Sequence, residues 1–225
     1  MPTDVRILRA RKRAAAPWAN GGGVTREVAA HPPGVGWDAF AWRVSLADVT
    51  RDGPYSPLPG VRRILTVVDG AGLELTVDGT AHLLPGRYRP FPFPGGADTD
   101  CRLLSGPVVN LNVMLREGCA AATVEMVRGS RTVATGRSPA HGGDGDGDGG
   151  DGGDQAVMVV ALEGCTEVRT EGRNGPAVRL ERFDAALLPP ESLTDAQMPV
   201  GLRTVELRTD GMAAVISLSG GGAVS

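Results

Sequence analysis

Between Pro17 and Val28 the chain reads PWANGGGVTREV, three glycines set between a Trp-Asn pair and an alternating run. Consecutive glycines let a backbone come close to a ligand, and phosphate binding is the first chemistry to test. A Walker loop requires Lys-Ser/Thr after its last glycine, where this chain has Val24-Thr25. A dinucleotide fingerprint built on Gly21 and Gly23 requires a third glycine where Arg26 stands and a helix after it, whereas VTREVA has strand character. Both phosphate motifs are excluded on those criteria. Two readings stay open: a strand-entry loop with Trp18 as a lid on the core, or a pocket rim where Asn20, Thr25 and the bare backbone around Gly22 meet a small polar ligand.

Other polar groups fall on two apolar strands. In AWRVSLA the period of two puts Arg43 and Ser45 on one face and Trp42, Val44 and Leu46 on the other. Facing a barrel interior, Arg43 and Ser45 are ligand contacts; facing water, they form an ordinary solvated edge. In VVNLNVML, Asn110, Asn112 and Met114 share a face, and buried amides there require partners that a polar ligand or a hydrogen-bonded bulge supplies. Nucleophilic catalysis has no support, since neither G-x-S-x-G nor S-x-x-K occurs. Cys101, Cys119 and Cys165 are odd in number with no CxxC spacing, which predicts reduced thiols and no zinc site. His31, His82 and His141 are scattered, so no histidine-carboxylate facial site assembles from sequence neighbours.

Positioning such groups falls to strands. With 33 glycines and 17 prolines in 225 residues, 41% hydrophobic but 4% aromatic, the composition favours short strands and many turns, an all-β body. Leu73, Leu75 and Val77 alternate with Glu74, Thr76 and Asp78, predicting a half-buried strand that follows the strand VRRILTVVD after a glycine turn. Pro90, Pro92 and Pro94 demote RPFPF to a sheet edge or rim. VVALEGCTEVRT echoes LTVVDGAGLELTV, and the repeat suggests two β modules of one kind: an N-terminal module over 1–136 and a C-terminal module over 156–225, whose strands include TVELR and AAVISLS.

Between them, residues 137–155 form a glycine-aspartate tract with nothing to bury, expected to be a disordered linker. Asp144, Asp146, Asp148 and Gly149 fit the start of an EF-hand loop, but Gln155 falls where the bidentate glutamate is required. The tract's five aspartates outweigh the formal net charge of -3, and Lys12 is the one lysine among scattered arginines, which argues against nucleic acid. The basic start has no apolar segment behind it, and no 18-residue apolar span follows, so the expectation is a cytoplasmic protein with no membrane contact.

Four motifs in order from Trp18 to Met114, namely WANGGGVT, FAWRVSLADV, DGPYSPLPGVRR and NLNVM, resemble the HutD/Ves family of bicupin proteins associated with bacterial histidine utilisation. The resemblance implies two cupin-like jelly-roll modules fused in one chain, with a pocket in the N-terminal one. It implies a regulatory role and, as ligand, N-formimino-L-glutamate or a related formylated glutamate. It also implies that Arg63 is the pocket arginine. Two positions depart from the pattern: Arg62 stands where an acidic residue is frequent, and Tyr55 replaces a phenylalanine.

Metal-binding cupins resemble a pattern of two alternating histidines, a glutamate and a final glycine. With Gly70 as that glycine, Arg63 takes the glutamate slot and the histidine slots fall among Ser56, Pro57, Leu58 and Pro59. The expectation is no metal and no cofactor. An arginine in place of a carboxylate ligand converts a cation site into an anion site. The competing reading pairs Arg63 with an internal carboxylate such as Asp48 or Glu74 and makes it structural.

Three functions follow. One is a metal-free binding protein that holds a small anionic metabolite through Arg63, with Trp18, Asn20, Gly22, Thr25, Arg43, Ser45 and Asn112 around the ligand. Another is a cupin isomerase or hydrolase working on the same compounds with a carboxylate base. The third is a structural module that forms a homodimer through its sheet edges.

Overall fold

A computed structural model describes residues 5–135, 155–170, 177–188 and 203–220. The glycine-aspartate tract, Gln155 apart, lies outside the described residues. The described chain is all-β, with one 3-10 turn at Ala10–Lys12, and none of its helices is long and apolar enough to cross a membrane. It divides into two compact units, one built on Arg11–Ala121 and the other on Met1–Ala10 with Ala122–Gly220.

The Arg11–Ala121 unit holds two antiparallel sheets. The six-stranded sheet runs, in order, Ala16–Pro17, Gly23–His31, Trp42–Val49, Val108–Arg116, Val61–Asp69 and Phe91–Pro94. Gly53–Pro54, Thr99–Leu103, Gly72–Val77 and Thr80–Pro85 form the four-stranded one. The expected alternation holds: Leu73, Leu75 and Val77 are buried, and together with Leu65, Val67, Phe93 and Val108 they form one core cluster. A two-residue turn at Asp78-Gly79, both with positive φ (46° and 77°), joins Val77 to Thr80. Positive φ at both positions matches the right-handed twist of the strands it connects. The proline-rich strand Phe91–Pro94 sits at the end of its sheet, where a missing N–H interrupts no ladder.

In the other unit a seven-stranded sheet includes the Arg6–Leu8 strand, paired with Ala185–Leu188. Two features differ from the sequence reading. TVELR and AAVISLS lie in one continuous strand, Arg203–Gly220, which pairs with Thr166–Thr170 through its first part and with Gln155–Glu163 through its second. Gly211 makes that continuity feasible, because a Cβ there would lie 2.2 Å from the Glu163 carbonyl oxygen. The sequence reading also passed over Ala120–Thr135, which pairs with the same long strand. Val127 is its one buried residue among those described, so its alternation carries little hydrophobic signal.

Asp184 ties the N-terminal strand to this sheet. Its carboxylate accepts the Ala10 N–H at 2.8 Å, the Arg9 guanidinium at 2.7 Å and the Glu181 N–H at 3.1 Å. Burial pushes its pKa up, but the hydrogen bonds from Ala10, Arg9 and Glu181 outweigh burial and hold it below the usual carboxylate value. A depressed folded-state pKa contributes stability that is present above the unfolded value, about 3.9, and is lost as pH falls through the folded one. Asp184→Asn is therefore expected to cost about 1–3 kcal/mol at pH 7 and far less near pH 2. Urea unfolding of both proteins at the two pH values measures the difference; an equal cost at both would contradict it.

Candidate functional site

The Arg11–Ala121 unit contains a cavity of about 680 Å3, within the size range of small-molecule pockets. Strand register explains which side chains reach it. Residues opposite one another on antiparallel strands point to the same face, and Met114 lies opposite Arg63 on one side and Arg43 on the other, while Asn112 lies opposite Ser45. One sheet face thus carries Arg63, Asn112, Met114, Ser45 and Arg43. Of these, Arg63, Asn112 and Met114 line the cavity, as do Trp18, Asn20 and Thr25 from the glycine segment.

Arg63 is 7% exposed, and its guanidinium lies 5.1 Å from the centroids of both the Tyr55 and Phe93 rings. Its Nε is buried without a hydrogen-bond partner. Burial lowers its pKa and nearby Tyr55 works in the opposite direction, but an arginine starts so high that it stays charged at neutral pH. The carboxylates that would have made it structural are engaged elsewhere: Asp48 with Arg26, and Glu74 with Arg102 at 3.1 Å. Among the described residues no acidic side chain forms an ion pair with Arg63.

The glycine segment brings Trp18, Asn20 and Thr25 to the cavity lining, while the N–H groups of Gly21 and Gly22 bond within the loop itself. The Gly21 N–H donates to the Trp18 carbonyl at 3.0 Å, and the Gly22 N–H donates to Asn20 Oδ1 at 2.9 Å. Gly22 is buried and lies off the cavity lining, and Asn20 spends its carbonyl oxygen closing the loop. What the loop positions is Trp18. Its indole N–H donates to Thr25 Oγ1 at 2.7 Å, and its ring meets Tyr55 edge-on at 5.7 Å. Gly21 takes the left-handed conformation, φ 67°, that such a tight turn requires.

Arg43 and Ser45 sit beside the cavity without lining it. Ser45 is fully buried and its hydroxyl has no partner. Arg43 pairs with Glu27 at 2.7 Å and packs 4.0 Å from the centroid of Trp37, a ring that does line the cavity. Asn112 Oδ1 is likewise buried and unpartnered.

Tyr55 and Trp37 line the cavity although the sequence reading assigned neither to a site. Tyr55, noted in the sequence only as replacing a phenylalanine of the family pattern, has its hydroxyl bonded by Asn110 Nδ2 at 3.1 Å and its ring between Trp18 and Arg63. Burial pushes its phenol well above the usual value, with Cys101 adding to the rise. Burial also drives the Cys101 thiol up to about 11, so both groups are neutral at physiological pH. Trp37 stands in a loop whose glycines and prolines gave no sign of a wall. Among the described lining residues Arg63 is the one charged side chain, and none is Asp, Glu, His, Cys or Lys. Among the described residues no group of three or more His, Cys, Asp or Glu side chains is placed to hold a metal; His31 stacks on Trp42 and His82 packs on Phe91.

A family model described as HutD matches residues 10–202. A protein from the hutC 3′ region of Pseudomonas putida is 39% identical over 114 residues, 50% of this chain and 58% of that protein. Protein Ves of Citrobacter koseri is 35% identical over 120 residues, 52% of this chain and 60% of Ves. The chain thus matches less than two thirds of the length of these relatives. Among solved structures, HutD from Pseudomonas fluorescens SBW25 (formate condition) superposes with TM-score 0.72 at 28% identity, covering 97% of this chain and 100% of that one. A cupin 2 conserved barrel domain protein from Leptotrichia buccalis superposes with TM-score 0.53 at 8% identity over 98% of this chain and 99% of that one, a likeness of fold alone. The fold is all-β and cupin-like.

Proposed function

The chain belongs to the HutD family, and from that premise we propose that its cavity holds a small anionic amino-acid derivative of the N-formimino-L-glutamate or formylglutamate class. In this reading the two units are cupin-like modules of one kind. The protein is a metal-free cytoplasmic regulator of histidine breakdown, in keeping with the hutC-region location of its Pseudomonas putida relative.

One observation carries the reading: Arg63, buried beside a cavity, has no anionic partner of its own among the described residues. A buried charge without a counter-charge is costly to the fold, and a ligand carboxylate offsets that cost through paired, charge-assisted hydrogen bonds. The aromatic faces of Tyr55 and Phe93 hold the guanidinium in place. Trp18, Trp37, Leu58 and Met114 supply apolar walls for a short aliphatic chain.

Binding is favoured over turnover by the composition of the lining. A hydrolase or isomerase acting through a carboxylate base requires that base within hydrogen-bond reach of the substrate. The described lining residues include no carboxylate, imidazole or amine, and the Tyr55 hydroxyl is held protonated. Incubating the protein with N-formimino-L-glutamate, followed by product analysis and equilibrium dialysis, separates the two. Saturable retention of unchanged compound is expected; catalytic release of formamide, ammonia or glutamate would replace the sensor with an enzyme.

A further inference from the structure

Arg63 has a counterpart in its own row. Because Met114 lies opposite Arg63 on one side and Arg43 on the other, the two arginines project from the same sheet face with backbones about 10 Å apart, two inter-strand spacings. The side chain of Arg43 is 13% exposed and its Nε is buried without a hydrogen-bond partner. Its guanidinium rests on Trp37, whose ring lines the cavity that Arg63 enters. Its one ion-pair partner among the described residues is Glu27, on the neighbouring strand, with a side chain 39% exposed.

An arginine fork presents several donors and is satisfied by a carboxylate bound through two of them. Glu27 engages one terminal nitrogen of Arg43 and leaves Nε unused. Glu27 is the partner open to exchange, because its carboxylate is 39% exposed and is hydrated again when it leaves, whereas Arg43 is 13% exposed and requires another anion in its place.

We propose that Arg43 reads a second carboxylate of the ligand, and that Glu27 stands in for that carboxylate until the ligand arrives. The assignment rests on the anion-binding reading of Arg63 and narrows its ligand class to dicarboxylates able to bridge the Arg63–Met114–Arg43 row. Trp37, packed on Arg43 and 48% exposed, forms the wall that such a ligand must pass or displace. Glu27 then sets specificity by competition: a monocarboxylate gains nothing from displacing it, whereas a dicarboxylate replaces one acidic partner with another and engages both arginines.

The test is calorimetric titration of glutarate and its monomethyl ester into the wild-type protein and the Glu27→Gln, Arg43→Met and Arg63→Met variants. Glu27→Gln is expected to tighten glutarate about fivefold by removing the competitor, with the ester unchanged. Arg43→Met is expected to weaken glutarate about thirtyfold or more, to the level of the ester. If both variants shift the two ligands equally, or leave both unmoved, the assignment to Arg43 is overturned. Glu27→Gln keeps the side chain's size and shape, so it decides the matter even where Arg43→Met folds poorly. Arg63→Met is read separately: loss of both ligands supports the cavity reading, and unchanged binding of both overturns that reading. Absence of heat from either ligand with wild-type protein overturns the cavity reading and the Arg43 assignment together.

Discussion

Arg63→Met is expected to abolish ligand binding while making the unliganded protein more stable. The two effects have opposite signs because one residue causes both. In the free protein the guanidinium is buried between Tyr55 and Phe93 with no described carboxylate paired to it, so an apolar side chain of similar length removes an uncompensated charge. Replacing even a paired buried charge by packed hydrophobic groups is often neutral or stabilising by about 1–4 kcal/mol, and each kcal/mol corresponds to roughly 2–4 °C of melting temperature for a chain of this size. In the complex the same replacement strands a ligand carboxylate without its counter-charge, costing about 2–5 kcal/mol, or a factor of about thirty to several thousand in affinity. An arginine held in a structural ion pair behaves in the opposite way, because its removal strands a carboxylate within the protein. Thermal unfolding of the two proteins without ligand distinguishes the cases; a melting temperature lowered by several degrees would show a partner that the geometry lacks.

The second large effect is at Gly23. A Cβ on this residue would lie 2.4 Å from the Asp48 carbonyl oxygen and 3.2 Å from the Trp18 ring. The first is backbone in the adjacent strand and cannot swing away, and the second is the wall of the cavity. Gly23→Ala is expected to cost about 2–4 kcal/mol of stability and to weaken binding by moving Trp18. Gly21→Ala is the matched control. Gly21 has open space around its would-be Cβ, so its substitution meets only the left-handed conformation, at about 1–2 kcal/mol. Chemical unfolding of both variants should rank Gly23→Ala as the more damaging. The reverse order would mean that the loop is held by its turn geometry and not by its close approach to the strand.

These two residues also mark how far the sequence reaches. Three consecutive glycines signalled a close backbone approach, and the motif arithmetic removed phosphate as its cause. The approach is between Gly23 and Asp48 within the protein, which requires knowing which strands are neighbours. Alternation exposed the Leu73, Leu75 and Val77 face, and three prolines exposed the sheet edge, since both signals are local. Arg63 was legible only through a family pattern. Its lack of a counter-charge was not, because Asp48 and Glu74 had to be placed beside Arg26 and Arg102 first. The places of Tyr55 and Trp37 in the cavity wall were hidden for a related reason: both stand in proline- and glycine-rich loops with no periodicity to assign them a face. Glu27 reads as a polar residue on an alternating strand, and its meaning depends on Arg43 lying close enough to pair with it.

The role given to Arg63 stands or falls on calorimetric titration of N-formimino-L-glutamate into wild-type protein and Arg63→Met, side by side. Saturable one-site binding to the wild type and none to the variant is expected, with the variant folded and at least as stable. Equal binding by both proteins would contradict that role, since the ligand would then be held by something other than the unpaired guanidinium at the cavity.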